Sequence, residues 1–140
     1  MTPRQRPSGM TLQVQVDDLY RAREFYGGVL GAAPEFEPHD DFLEWRVGEG
    51  ETWLQIVAAR GPVRPLVNRV RFRVDDLAAA SAAAAALGAA VSPVTTLHSV
   101  VRWVDFSDPW GNQLGFYEDL APTGQEAGPG GSVHDERHFS

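Results

Sequence analysis

Val16-Asp17-Asp18-Leu19-Tyr20-Arg21-Ala22-Arg23-Glu24-Phe25-Tyr26-Gly27-Gly28-Val29-Leu30-Gly31 is the stretch from which the fold can be read. It joins the end of a strand to an acidic helix start, an amphipathic helix and a glycine stop. Leu19, Ala22, Phe25, Tyr26 and Val29 recur at helical spacing, so one face is apolar. Asp17 and Asp18 stand where an N-cap and a first-turn acid belong, and Gly31 where a helix ends. A degenerate copy runs from Val74-Asp75-Asp76-Leu77 to Leu87-Gly88-Ala89. Val16 and Val74 are 58 residues apart, Leu30 and Leu87 are 57 apart, and Trp45 and Trp103 again 58. Three landmarks at nearly one offset predict two similar modules.

Outward from that stretch, both modules read alike. Met10 to Val16 alternates as a half-buried strand must, with Leu12, Val14 and Val16 on one face and Thr11, Gln13 and Gln15 on the other. Phe36 opens a second strand, His39-Asp40-Asp41 a turn, Phe42 to Val47 a third strand and Trp53 to Ala58 a fourth. Arg60 to Pro65 is a proline-marked linker. Asn68 to Val74 then repeats the first alternation, with Val70, Phe72 and Val74 opposite Arg69, Arg71 and Arg73. The second helix is nearly all alanine, an efficient helix former. Ala90 to Thr96 is a strand that tolerates Pro93 best at a sheet edge. His98 lies in a turn, followed by strands at Val100 to Phe106 and Asn112 to Glu118. Between them, Asp108-Pro109-Trp110-Gly111 has type I turn chemistry. The order is β-α-β-β-β twice, an α+β class. The division is a disordered arm over 1–9, one domain over 10–120 (modules 10–59 and 68–120), and a disordered Gly/Pro-rich tail over 121–140.

At 140 residues, with 43% hydrophobic and 22% charged, the chain has ordinary globular composition. The absence of cysteine removes disulfides, thiolate metal sites and thiol nucleophiles, and fits a cytoplasmic protein. The N-terminus lacks the apolar core of a signal peptide. No apolar helical stretch is long enough to span a bilayer. A formal charge of −7 disfavours nucleic acid, whose phosphates demand a basic face.

Two β-α-β-β-β copies, the run Phe25-Tyr26-x-x-Val29-Leu30-Gly31 and the closing Asp108-Pro109-Trp110-Gly111-Asn112 together resemble the vicinal oxygen chelate superfamily. That superfamily includes glyoxalase, bleomycin-resistance and extradiol-dioxygenase proteins, and the resemblance covers Met10 to Asp119. It implies two tandem modules forming a curled, eight-stranded mixed sheet, a cup with helices outside, and a homodimer. In the superfamily's enzymes a metal is held by His or Gln seven residues before the helix-opening aspartate, and by Glu four residues after the closing-turn glycine. Carried over, these positions are Thr11, Arg69 and Gly115. The closing-strand position of the first module is Gln55 or Val57. Thr is a poor neutral ligand, Arg a fixed cation and Gly has no side chain, so the expected metal set is empty and no cofactor is expected.

The expectation is a metal-free protein that sequesters a small aromatic or polycyclic molecule. Its ligand-binding candidates are Thr11, Gln13, Glu44, Trp53, Gln55, Arg69, Arg71, Trp103, Gly115 and Tyr117. The arginines offer donors, Trp53 or Trp103 a flat wall, Tyr117 a hydroxyl and Gly115 open space, while core packing is the expected fate of at least one of those tryptophans. Three like charges on one strand require partners, such as Glu44 or an anionic ligand. Two alternatives stay open. One is a metal-dependent lyase, isomerase or dioxygenase with relocated ligands drawn from Gln55, Glu44 and His39 or His98. The other is a metal-free enzyme using Tyr117 or Glu44 as acid or base. Catalytic residues are not identifiable: no serine sits at a strained elbow and no glycine loop cradles phosphate. His39 and His98 read as solvated turn residues. His134 and His138 have helical metal spacing in a segment without helical pattern.

Overall fold

The computed structural model describes residues 4–38 and 41–120. The chain divides between Leu66 and Val67 into two compact units. The His39-Asp40 turn, His134, His138 and the whole of 121–140 lie outside the described residues.

In the first unit β1 (Met10–Val16) leads into α1 (Leu19–Leu30), followed by β2 (Phe42–Arg46) and β3 (Thr52–Ala58). The sheet order is β1-β3-β2, with β1 parallel and β2 antiparallel to the central β3. Alternation decides which face is buried. Val14, Val16, Leu43, Trp45, Leu54 and Ile56 on one face, with Ala22, Phe25, Tyr26 and Val29 of α1, form the core. Trp45 is closed in by Tyr26, ring centroids 6.2 Å apart, and its indole N–H donates to Ala32 O at 2.9 Å. A buried indole must satisfy its one donor in this way.

The helix start follows the sequence with one correction. Asp18 is the N-cap and accepts from Arg21 N at 3.1 Å, whereas Asp17 stands before the cap and the first turn carries no acid. Asp76 caps the second helix in the same manner, accepting from Ala79 N at 3.0 Å. Gly31 closes α1 in the left-handed region at φ 71°, where a Cβ would be strained.

The second unit contains β4 (Val70–Arg73), α2 (Leu77–Ala86), β5 (Thr95–Leu97), β6 (Val101–Ser107) and β7 (Gln113–Asp119). Its sheet order is β4-β7-β6-β5, with β4 parallel to β7. Phe72, Leu77, Ala84, Val104, Phe106, Leu114 and Phe116 are buried. Glu118 accepts from Leu77 N at 3.2 Å and Arg102 Nε at 3.0 Å, so one carboxylate ties the start of α2 to β6 and β7.

Both units are β-α-β built, giving seven named strands and two helices among the described residues. The strand expected at Phe36 is a single bridge to Glu44. The one expected over Ala90 to Thr96 is confined to the edge strand β5. Pro93 cannot donate to a ladder, so upstream of it only Ser92 engages β6, through Ser92 N to Asp105 O at 2.9 Å and Asp105 N to Ser92 Oγ at 2.8 Å. Among the described residues no helix is long and apolar enough to cross a membrane.

The turn before β7 is held by one carboxylate. Asp108 Oδ1 accepts from Trp110 N at 2.9 Å and Asn112 N at 2.8 Å, and Oδ2 accepts from Asn112 Nδ2 at 2.7 Å. Asp108 and Asn112 are both buried. Asn112→Ala is therefore expected to lower the unfolding free energy by about 2–3 kcal/mol, against about 1 kcal/mol for Asp18→Ala. Urea denaturation measures both, and a loss under about 0.5 kcal/mol at Asn112 would contradict this account of the turn.

Candidate functional site

In each unit the face that does not meet the helix collects the polar side chains, and ladder register sorts them into rows. In the first unit the middle row is Gln13, Gln55 and Glu44 across β1, β3 and β2. Gln13 Nε2 donates to Gln55 Oε1 at 2.8 Å, and Gln55 Nε2 donates to Glu44 Oε2 at 3.2 Å. The carboxylate fixes this direction: an ionised Glu44 only accepts, so Gln55 must turn its NH2 towards it and its oxygen towards Gln13. The next row is Thr11, Trp53 and Arg46. Arg46 lies over the Trp53 ring with its guanidinium carbon 4.9 Å from the centroid, and Glu51 accepts from Trp53 Nε1 at 3.2 Å.

In the second unit the corresponding middle row is Arg71, Gly115 and Asp105. Arg71 Nε donates to Asp105 Oδ1 at 3.0 Å, and the Arg71 guanidinium carbon is 5.2 Å from the centroid of Trp103. Trp103 is the direct ladder partner of Tyr117. Arg69, just before β4, donates through Nη1 to Phe106 O and Leu114 O and through Nη2 to Gln113 Oε1 at 2.6 Å. Its Nε is 3.5 Å from Asp105 Oδ1. Arg73 pairs with Asp119 at 3.3 Å.

These partners correct several expectations. Within the second unit, Asp105 and Asp119 are the carboxylates that answer the arginine row. Gly115 offers no open space: a Cβ there would stand 2.6 Å from Val104 O, 3.0 Å from Arg71 Cγ and 3.1 Å from Asp105 Oδ1. The missing side chain makes room for the Arg71–Asp105 pair. Trp53 and Trp103 both lie on polar faces under a guanidinium, so neither is a core residue; the core tryptophan is Trp45. The offset between Trp45 and Trp103 is coincidental. Through β3 and β7 the register pairs Trp45 with Phe106, and Trp103 with Phe42.

The same register removes the choice between Gln55 and Val57. Gln13 faces Gln55 as Arg71 faces Gly115, so Gln55 is the first-unit counterpart of Gly115. Thr11 and Arg69 are counterparts likewise. This set does not fit a divalent cation. Arg69 is permanently charged and engaged with carbonyls, Gly115 has no donor, and Gln55 spends both amide atoms on its neighbours. Among the described residues no three His, Cys, Asp or Glu side chains are grouped to hold a metal. His98, at φ 49°, is exposed in the turn after β5, and His39 lies outside the described residues.

The sequence reading missed Asp105 and Gln113. Asp105 alternates with the buried Val104 and Phe106, a signal available in the sequence. The fixed offset hid it, because the turns between strands differ in length and Asp105 is the counterpart of Glu44.

A family model for a glyoxalase-like domain matches residues 11–116. Among solved structures, a glyoxalase/bleomycin resistance protein from Catenulispora acidiphila is 28% identical, with a TM-score of 0.65 over 83% of this chain and 100% of the other. The antibiotic-binding protein TnmS3 from a Streptomyces species is 27% identical, with a TM-score of 0.61 over 78% of this chain and 93% of that one. The fosfomycin resistance protein FosX from Mesorhizobium loti is 17% identical, with a TM-score of 0.62 over 90% of this chain and 100% of that one, a likeness of fold alone. No curated protein sequence matches.

Counterpart positions make a paired stability test. Gly115→Ala is expected to cost more than about 2 kcal/mol, since the nearest atom is backbone, while Gln55→Ala should cost about 1 kcal/mol or less. Denaturant midpoints of the two variants decide it, and equal losses would contradict the packing described around Gly115.

Proposed function

The chain belongs to the glyoxalase-like family within the vicinal oxygen chelate superfamily, and on that premise we propose that it captures a small aromatic molecule without a metal. The observation that carries this reading is the state of the positions where the superfamily's enzymes place metal ligands. Arg69 stands at one of them with its guanidinium committed to Phe106 O, Leu114 O and Gln113. Thr11, Gln55 and Gly115 at the others leave no anionic donor. What remains on the strand faces suits recognition: guanidinium on indole at Arg46–Trp53 and Arg71–Trp103, and the fixed acceptor and donor pattern of Gln13–Gln55–Glu44.

Two relatives support this direction. TnmS3 is described as an antibiotic-binding protein, and the Catenulispora relative as a glyoxalase/bleomycin resistance protein. The eight-stranded cup, a homodimer and a cytoplasmic location belong to the same proposal.

Equilibrium titration of the full chain with a panel of polycyclic aromatic compounds, followed by tryptophan fluorescence, tests it. Binding is expected with a Kd that excess EDTA leaves unchanged within about twofold. Loss of binding on chelation would refute metal-free capture, as would turnover of the bound compound that stops when the protein is stripped of metal.

A further inference from the structure

The second unit carries an arginine held on three sides within that unit, with both terminal nitrogens unpaired among the described residues. Arg71 Nε is held by Asp105 Oδ1 at 3.0 Å. One face of the guanidinium lies over Trp103 at 5.2 Å, and the stem passes with Cγ 3.0 Å from where a Cβ at position 115 would stand. Neither Nη1 nor Nη2 of Arg71 has a partner among the described residues, so four of the five N–H donors remain unused. The Arg71 side chain is only 27% exposed, so water does not fully repay those donors.

Charge leads the same way. Arg69 and Arg71 share the carboxylate of Asp105, so among the described residues of this unit two cations in a half-buried cluster face one anion. Arg69 has already spent its Nη groups on carbonyls and Gln113, so the charge is presented by Arg71. In a protein of net charge −7 one such cationic fork is a local device rather than a steering field. Trp103 and its ladder partner Tyr117 place flat apolar surface beside it.

We propose that Arg71 is the specificity-determining residue for an aromatic monocarboxylate, whose two oxygens span Nη1 and Nη2 while its ring system extends beside Trp103. A planar guanidinium matches a planar carboxylate with two parallel hydrogen bonds, a geometry that neither a lysine nor a neutral amide reproduces. Asp105 and Gly115 act as positioning residues. This rests on the capture reading and names its ligand class.

The test uses the full chain and two probes of one shape, 2-naphthoate and 2-naphthamide, titrated by calorimetry. Wild type is expected to bind naphthoate about tenfold or more tightly than naphthamide. Arg71→Gln should abolish the preference, and Arg71→Lys should retain only a minor part of it, with both variants melting cooperatively near the wild-type temperature. Equal binding of the two probes by wild type, a preference that survives Arg71→Gln, or no binding of naphthoate would each overturn the assignment. Chelator-insensitive capture of neutral aromatics without the preference would sink this assignment and leave the capture reading standing. A preference that depends on Arg71 but vanishes on chelation would do the reverse.

Discussion

Each sheet has to bury one face against its own helix, and strand geometry then leaves no freedom about the other face. Side chains alternate with period two, so once Val14, Val16, Leu54 and Ile56 are buried, Gln13, Gln15, Trp53 and Gln55 must share the opposite surface. The same constraint in the second unit buries Phe72, Leu114 and Phe116 and aligns Arg71, Gly115 and Tyr117. A slip of one residue would drive arginines into the core, so register is strongly specified. The hydrogen-bonding rows, the cation–indole contacts and the Arg71–Asp105 pair all follow from it.

Much of this was legible in the sequence. Strict alternation in Met10 to Val16 and around Val70 to Arg73, the helical stripe from Leu19 to Val29 and the aspartate caps are local signals, and local signals read directly. The family resemblance was legible for the same reason, since its motifs sit at helix and turn boundaries. What failed was whatever depended on pairing across strands. Trp45 and Trp103 share an offset but stand on opposite faces, because turn lengths differ between the copies and a fixed period cannot follow them. Asp105 was overlooked because its role comes from lying beside Gly115 and Arg71, neighbours 10 and 34 residues away in the chain. Phe36 and Ala90 to Pro93 read as strands by composition, yet a bridge and a proline-broken edge are all the ladder accepts there.

Glycine at 115 shows how one position can change the chemistry of a face. Its first-unit counterpart, Gln55, links Gln13 to Glu44 and keeps that row neutral at two of three places. Removing the side chain at 115 lets a cation and a carboxylate close over the strand, and the row becomes an ion pair. A metal site would need anionic or neutral donors converging at these places. The two units instead present amide on one strand face and guanidinium on the other, which suits recognition of a ligand's polar atoms.

The central claim is that this chain keeps the superfamily's fold while its ligand positions no longer hold a metal. Calorimetric titration of the full chain with Zn2+, Mn2+ and Fe2+ tests it most directly, in protein carrying His134→Gln and His138→Gln so that the tail histidines cannot answer for the result. The account predicts no saturable binding of any of the three. One equivalent bound per chain, lost when Glu44 or Gln55 is replaced by alanine, would contradict it.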